Sequence, residues 1–312
     1  MNRLTHSFES TIRSFQISNT ELFFFVEGGK NDRYFYSKTC APLLGKSPFT
    51  YEFRMPEELP SLGGGKTALI TLFNHLRNNK KLDSCFKGRR KLFAFFMDKD
   101  VDDINRKTLR SDHIIYTEHY DVENYIFKHG DITNAAAACA SIDQQHISKA
   151  VGNPNTWRAK CAEIWKEWIV ICLFAKQHGV SIPNYQLPQS RIHNPTYENL
   201  CPVAHKNYLN DLKLESGLDE SGFQEELGKT MKLVDKFFAA GNHDKVFKGK
   251  WYAGFLVNEL KGLEKLGIKI DNNGLIKRLP ATTAATIRFE DSWANQLRAK
   301  VEKVLKKLER PC

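Results

Sequence analysis

Two short segments constrain this chain more than anything else in it. Leu22-Phe-Phe-Phe-Val26 and Leu92-Phe-Ala-Phe-Phe-Met97 are apolar at every position, and both stop abruptly: the first on Glu27-Gly28-Gly29, the second on Asp98-Lys99-Asp100. A short apolar run without polar alternation buries both of its faces, which predicts strands inside a parallel sheet covered by helices on each side. Two further strands are predicted near residues 51–55 and 113–117. Between them, a helical pattern opens at Asn31 and Asp32 and runs through Tyr34, Phe35 and Cys40. A second, from Lys66 to Leu76, places Leu69, Leu72, Phe73 and Leu76 on one side. Strand alternating with helix in this way predicts an α/β fold.

Beyond about residue 133 the texture changes. Helical periodicity appears in residues 135–138, 156–178, 222–238, 251–266 and 292–308, separated by loops rich in Pro, Asn and Gly such as 179–198. The expected organisation is an α/β domain over residues 1–133 and a helical region over 134–312.

The 312 residues are 41% hydrophobic and 26% charged, enough apolar material for a substantial core. The longest membrane candidate, Trp168–Ala175, has eight residues, against roughly 20 needed to span a bilayer. The start, Met1-Asn2-Arg3, lacks the apolar stretch of a signal peptide, so a cytoplasmic protein without membrane contact is expected. Seven scattered cysteines with no Cys-x-x-Cys fit reduced thiols, with Cys312 simply exposed. The net charge of +10 is concentrated late: residues 245–312 hold 15 Lys/Arg against 7 Asp/Glu, a net of +8. Such a segment attracts polyanions, phosphate backbones above all, or it is a solvated basic helix face.

Ligands of open parallel sheets bind at the carboxyl ends of the strands, and here those ends are acidic. Glu27 ends the first strand, Asp98 and Asp100 the third, and Glu118 or Glu123 follows the fourth. Carboxylates gathered at one edge repel one another unless a cation is present. Oxygen donors without cysteine or clustered histidine select a hard ion, Mg²⁺ or Mn²⁺. On extended backbone Asp98 and Asp100 share a face, with Lys99 on the other. Gly28 and Gly29 permit a sharp turn and close approach to a phosphate or metal. Each acid also has a plainer reading: Glu27 or the Asp98–Asp103 loop capping the next helix, and Glu123 paired with a nearby base. Asp32 fits a helix-opening position. Lys30, Lys66 and Lys99 are candidates for phosphate contact or for ordinary solvation.

Gly63-Gly-Gly-Lys-Thr67 falls short of a nucleotide-binding P-loop, because Pro60 stands where the first glycine belongs. It reads as a helix-entry turn or one that brings Lys66 near a phosphate. Among ten histidines only His119 adjoins the acidic cluster, and Trp157, Trp165 and Trp168 read as core.

Val26-Glu-Gly-Gly-Lys-Asn-Asp32 after an apolar strand, then apolar-Asp98-x-Asp100, then Tyr120-Asp-Val-Glu-Asn-Tyr-Ile126, together resemble the Toprim-like, OLD-related nucleases of bacterial anti-phage defence, the family of AriB in the PARIS system. The resemblance covers residues 20–130 and continues weakly to Lys248-Gly-Lys-Trp251, which echoes a basic element of the family. It implies a Toprim-like parallel sheet core flanked by helices, with a helical C-terminal region. It implies Glu27 as metal ligand or general acid/base, Asp98 and Asp100 as the metal-binding pair, Glu123 as a ligand for a second ion, and Lys248 and Lys250 as basic substrate contacts; Lys30 and Lys66 are expected to contact substrate on grounds of charge alone. The implied activity is Mg²⁺-dependent endonuclease action on tRNA as a toxic defence effector, held inactive by an ABC-like ATPase of the AriA kind until infection. A homodimer fits such an enzyme. The same acids also suit an OLD-like DNA nuclease or nickase, and the fold suits a non-catalytic module that binds nucleic acid or a partner.

Overall fold

The computed structural model describes residues 7–28, 30–60, 62–181, 185, 190–195, 197–264 and 267–312, apart from the side chains of Lys30 and Asn273. The protein is α/β. Its contacts divide the chain into two compact units, each made of separate stretches: residues 1–99, 108–117 and 288–312 in the first, 100–107 and 118–287 in the second. The fold therefore divides elsewhere than at the expected boundary near residue 133. The chain enters the second unit right after Lys99 and returns its last 25 residues, 288–312, to the first. Composition cannot register such a return, because a helix covering a sheet and a helix in a bundle have the same amphipathic pattern.

In the first unit the chain runs α1 (Phe8–Ile17), β1 (Leu22–Val26), α2 (Lys30–Leu44), β2 (Tyr51–Arg54), α3 (Gly65–Asn78), β3 (Asp83–Phe86), β4 (Arg89–Met97) and β5 (Ile114–Tyr116). β1 lies between β2 and β4, parallel to both, with Leu22 opposite Leu92 and Val26 opposite Phe96. β5 pairs parallel with the end of β4, Phe95 to Met97. β3 departs from the expected parallel pattern: it forms an antiparallel hairpin with the start of β4. The turn is Lys87-Gly88, both residues at positive φ (50° and 73°), which matches the twist of a two-residue hairpin.

One face of β1 and β4 stacks Phe23 on Phe93 and Phe25 on Phe95, packed with Ile12 and Phe15 of α1 and Leu69, Leu72, Phe73 and Leu76 of α3. The other face stacks Phe24 on Phe53 and Phe96 on Tyr36 of α2. Both faces are dry, as continuous apolar strands require. Lys91, 1% exposed, is tolerated because its ammonium donates to the carbonyls of Ser18 and Thr20 at 2.6 and 2.7 Å.

The second unit is helical: α4 (Val122–His129), α5 (Ile132–Ala140), α6 (Gln144–Val151), α7 (Pro154–Ile164), α8 (Lys166–His178), α9 (Pro202–Ser216), α10 (Glu220–Ala239), α11 (Trp251–Glu264) and α12 (Asn272–Ala284). The helical stretch 156–178 breaks in two at Trp165, which caps both halves. Trp157, Trp165 and Trp168 are buried in this unit's core, where the Trp165 ring meets Trp251 at 5.1 Å.

The chain then re-enters the first unit and ends in α13 (Asn295–Leu308). Its apolar stripe, Leu297, Val301, Val304 and Leu308, is buried. The Arg298 guanidinium donates to the Thr39 carbonyl at 3.2 Å, and Lys300 to that of Tyr116 at 2.9 Å. The basic C-terminal helix is thus in part a structural cover for the sheet. Among the described residues no helix is long and apolar enough to cross a membrane.

Cys312 is not a free exposed thiol. It is bonded to Cys85 on the β3 hairpin, closing a sequence separation of 227 residues, while Cys40, Cys139, Cys161, Cys172 and Cys201 are free. The Arg90 guanidinium holds the same tail by donating to the carbonyls of Lys307 and Pro311. Cross-linking a long loop restricts the unfolded chain, so Cys312→Ser is expected to cost about 2–5 kcal/mol. Urea denaturation without reductant measures this, and equal midpoints for both proteins would show that the bridge contributes nothing.

Candidate active site

In the first unit, the pairing of β1 with β4 carries the residues just past them to the same sheet edge. The Asp98 amide donates to Glu27 Oε2 at 3.2 Å. The Gly65 amide, opening α3, donates to the Glu27 carbonyl at 3.0 Å. Lys66, the next residue, reaches the Asp98 carbonyl with its ammonium at 2.6 Å and lies 6.0 Å from the Tyr116 ring centre. Two expected acids and one expected lysine are therefore brought together, and the glycine turn serves to place Lys66 against a strand end. Asp98 is 7% exposed. The strand end is fixed further by the Lys99 amide on Thr117 Oγ1 at 2.7 Å and the Thr117 amide on the Met97 carbonyl at 3.1 Å.

Gly28 has φ +135°, and a Cβ there would stand 3.3 Å from Glu57 Oε2; at Gly64 it would stand 2.7 Å from the same oxygen. Glu57 is thus a further acid beside the Glu27 turn. Nothing in the sequence distinguishes it from Glu58, since both read as surface charge. Gly29 and the Lys30 side chain lie outside the described residues.

Asp100 and Glu123 belong to the second unit, with Lys248 and Lys250. Asp100 has φ +51°, a left-handed turn that an aspartate tolerates. Its amide donates to the Tyr120 carbonyl at 2.7 Å, and the Tyr120 amide to the Asp244 carbonyl at 2.8 Å. Asp121 caps α4: its Oδ1 accepts from the Asn124 amide at 3.1 Å while Asn124 Oδ1 accepts from the Asp121 amide, a reciprocal capping box. The same Oδ1 accepts from the Gly249 amide at 3.2 Å, and Asn124 Nδ2 donates to the Phe247 carbonyl. The Asp-Val-Glu-Asn segment and the Lys-Gly-Lys segment are therefore locked together. Asp121 is a residue that sequence reasoning passed over; Asp121-x-x-Asn124 before a helix is the capping signal that marks it.

Charge in this cluster is poorly solvated. Asp121 and Glu123 are 2% and 4% exposed, and their Oδ2 and Oε2 are buried without a hydrogen-bond partner among the described residues. Burial, and after it the Glu123 carboxylate, push the Asp121 carboxyl well above the usual range, against the pull of Lys250 and Lys248. The Lys250 ammonium stands 3.8 Å from Glu123 Oε1. Burial lowers Lys248, partly offset by Asp121, Asp100 and Glu123, and its ammonium donates to the Tyr185 carbonyl at 2.8 Å.

Asp244, buried beside this cluster, has its carboxylate on Arg158 Nη1 at 3.1 and 3.2 Å and on the Tyr252 hydroxyl at 3.1 Å. Burial alone would raise its pKa, but Arg158, His243, His119 and Lys128 outweigh that and hold it below the ordinary value. His119 meets the opposite balance: burial dominates and holds it down at about 3, so it is neutral at pH 7 and accepts from Lys128 at 3.4 Å.

Among the described residues, no group of three or more His, Cys, Asp or Glu side chains is arranged to hold a metal ion. The donors that fit a cation best are oxygens: Glu27 with Asp98 in the first unit, and the two orphaned oxygens of Asp121 and Glu123 in the second. No protein-family model matches the chain, and no curated protein matches it.

Gly249 leaves no room for a side chain, because a Cβ would stand 2.4 Å from the Asn124 amide nitrogen and 2.6 Å from Asp121 Oδ1. Gly249→Ala is expected to cost about 1–3 kcal/mol, read as a lower urea midpoint; an unchanged midpoint would show that the lock is loose. His119 gives a pH signature. Its folded pKa lies below the unfolded value, so its contribution is intact above the ordinary histidine value and declines as pH falls from there toward about 3. From pH 7 to pH 5 this linkage amounts to about 2 kcal/mol. His119→Gln should flatten that part of the stability–pH curve, and an unchanged slope would place the acid sensitivity elsewhere.

Proposed function

We propose that this protein is a Toprim-like, divalent-metal-dependent nuclease whose reaction centre is built on Glu27 and Asp98 of the first unit; Asp100 and Glu123 of the second are further metal ligands that the resemblance implies. The observation that carries the reading is the meeting of Glu27 and Asp98 at the carboxyl ends of two parallel strands, with the Asp98 amide on the Glu27 carboxylate. That edge is where α/β sheets place their ligands. A Glu27 carboxylate held there by a backbone amide, beside the acid that follows the neighbouring strand, suits a hard cation such as Mg²⁺ or Mn²⁺. Such an ion, when bound, neutralises charge on a phosphodiester and acidifies an attacking water.

The chain's own residues have separable roles in this reading. Glu27 holds the ion or accepts a proton from the attacking water. Lys66 braces the Asp98 strand end through its carbonyl, and so acts as a positioning residue. Lys248 and Lys250 supply positive charge for a phosphate backbone. The resemblance favours tRNA as substrate, the cytoplasm as compartment, and an ABC-like ATPase of the AriA kind as the partner that restrains the enzyme. A homodimer is compatible with action on folded RNA.

Purified protein with Mg²⁺ is expected to cleave total tRNA in preference to plasmid DNA, and EDTA to abolish the activity. Glu27→Gln should slow cleavage by roughly 10²–10⁴-fold with the urea midpoint kept. Cleavage of plasmid alone would favour the DNA nickase. Equal cutting by Glu27→Gln would remove the proposed centre, and binding of tRNA without cleavage at any metal concentration would leave a recognition module.

A further inference from the structure

Two basic stretches far apart in the chain are held side by side in the first unit. Residues 80–90, which carry the β3 hairpin, hold five Lys/Arg against one Asp, a net of +4. Residues 303–312, the end of α13 and the tail after it, hold four against one Glu, a net of +3. Seven of the chain's ten net positive charges thus fall in these two stretches. The Cys85–Cys312 bridge brings the two Cα atoms to 5.7 Å, and Arg90 donates to the Lys307 carbonyl at 2.9 Å and to that of Pro311 at 3.1 Å.

Part of this charge has a local use. Arg90 stands 3.5 Å from Asp83, and Lys307 3.3 Å from Asp112. Lys306 and Lys307 also offset the dipole at the end of α13. The rest has no such account. Lys87, Lys303 and Arg310 are exposed, and none has a carboxylate partner among the described residues. Lys303, Lys306 and Arg310 follow one another at spacings of three and four, where like charges destabilise a helix. Lys87 takes φ +50° in a hairpin turn that favours Asn or Asp there. Local stability would choose otherwise at these positions, so the charges answer to something outside the fold.

We infer that the hairpin tip and the tail, joined by the bridge, form a docking exosite for the phosphate backbone of a duplex or folded nucleic acid. Exposed Lys and Arg side chains spread over two elements neutralise successive phosphates and release their counterions. A lipid surface fits less well, because segments that lie on membranes insert large apolar side chains. Among the described residues, no exposed large hydrophobic falls in either stretch. The exosite lies at the end of the sheet away from the acids: β4 begins at Arg89, in the hairpin, and ends at Met97, just before Asp98. A strand of that length spans roughly 25–30 Å. A ligand that touches both ends must therefore be long, as a folded nucleic acid is and a mononucleotide is not.

The inference goes beyond the nuclease reading, since binding is measured in EDTA, without cleavage. The probe is a short RNA duplex, followed by fluorescence anisotropy with the oxidised full chain over a series of salt concentrations. The triple variant Lys87→Gln, Lys306→Gln, Arg310→Gln changes exposed side chains only. It is expected to bind roughly 10–100-fold more weakly at low salt, with the slope of log affinity against log salt reduced by about 3. A control with the same loss of charge in the second unit, Lys232→Gln, Lys236→Gln, Lys261→Gln, should leave the slope nearly unchanged. Dithiothreitol reduces the bridge to two thiols and is itself oxidised to a cyclic disulfide. It is expected to weaken wild-type binding roughly 3–10-fold as the tail leaves the hairpin, and to affect the first variant less. An unchanged slope in the first variant, or an equal loss in the control, would overturn the exosite. Equal affinity before and after reduction would overturn the part given to the bridge. Binding to phosphatidylserine vesicles without binding to the duplex would make the patch a membrane surface instead. Duplex binding that follows the patch, with no cleavage when Mg²⁺ is added, would keep the exosite and remove the nuclease reading.

Discussion

The parallel pairing of β1 with β4 governs the first unit. Both strands are apolar on every residue of their paired stretch, so neither can lie at a solvated edge, and each must be flanked by strands and covered on both faces. The register that satisfies this, Leu22 against Leu92 through Val26 against Phe96, stacks phenylalanines in rows on both sides of the sheet. It also sets where the residues just past the strands lie. Glu27 and Asp98 are each within two residues of the last paired positions, so packing of the core sets the distance between the acids. Shifting one strand by a single residue would reverse every Phe on it and carry its acid away from the other. The hydrophobic pattern and the acidic edge are thus consequences of one alignment.

The second unit solves a different problem, that of keeping charge inside a helical core. Asp244 is held ionised because Arg158 grips both its oxygens and a tyrosine hydroxyl adds a donor. Removing any partner from such a buried group exposes the cost of the remaining charge. The backbone of the same residue receives the Tyr120 amide, and the Tyr120 carbonyl receives that of Asp100. A single aspartate therefore anchors two consecutive links leading to the left-handed turn at Asp100. The Asp121–Glu123 pair nearby is the contrasting case. Lys248 and Lys250 stand near it, yet among the described residues one oxygen of each acid lacks a hydrogen-bond partner, so the two sites differ in how fully hydrogen bonds satisfy the buried acids.

What the sequence made legible were local features. The two apolar runs, the acids that end them and the helix with Leu69, Leu72, Phe73 and Leu76 on one side all depend on neighbours within a few residues, and the α/β class with its parallel strands was readable for that reason. The antiparallel β3 was not, because Asp83–Phe86 alternates weakly and its partner is the polar start of β4, Arg89 to Leu92, at the margin of the apolar run. Nor was the division of the chain, since residues 288–312 carry an ordinary amphipathic stripe that does not say which surface it covers.

The candidate site shows the same limit more sharply. Glu27, Asp98 and Asp100 announce themselves by position after strands, and Glu123 by its place in a short acidic helix start. Asp121 draws its meaning from Gly249, 128 residues away in sequence, and Glu57 from Gly28 and Gly64, whose missing side chains make room for it. In both cases the partner contributes an absence or a backbone amide, neither of which has a side-chain signature. Acids placed by backbone are the ones a reader of sequence passes over. They are also the ones whose geometry is most rigid, because an amide within a locked segment cannot rotate away as a lysine can.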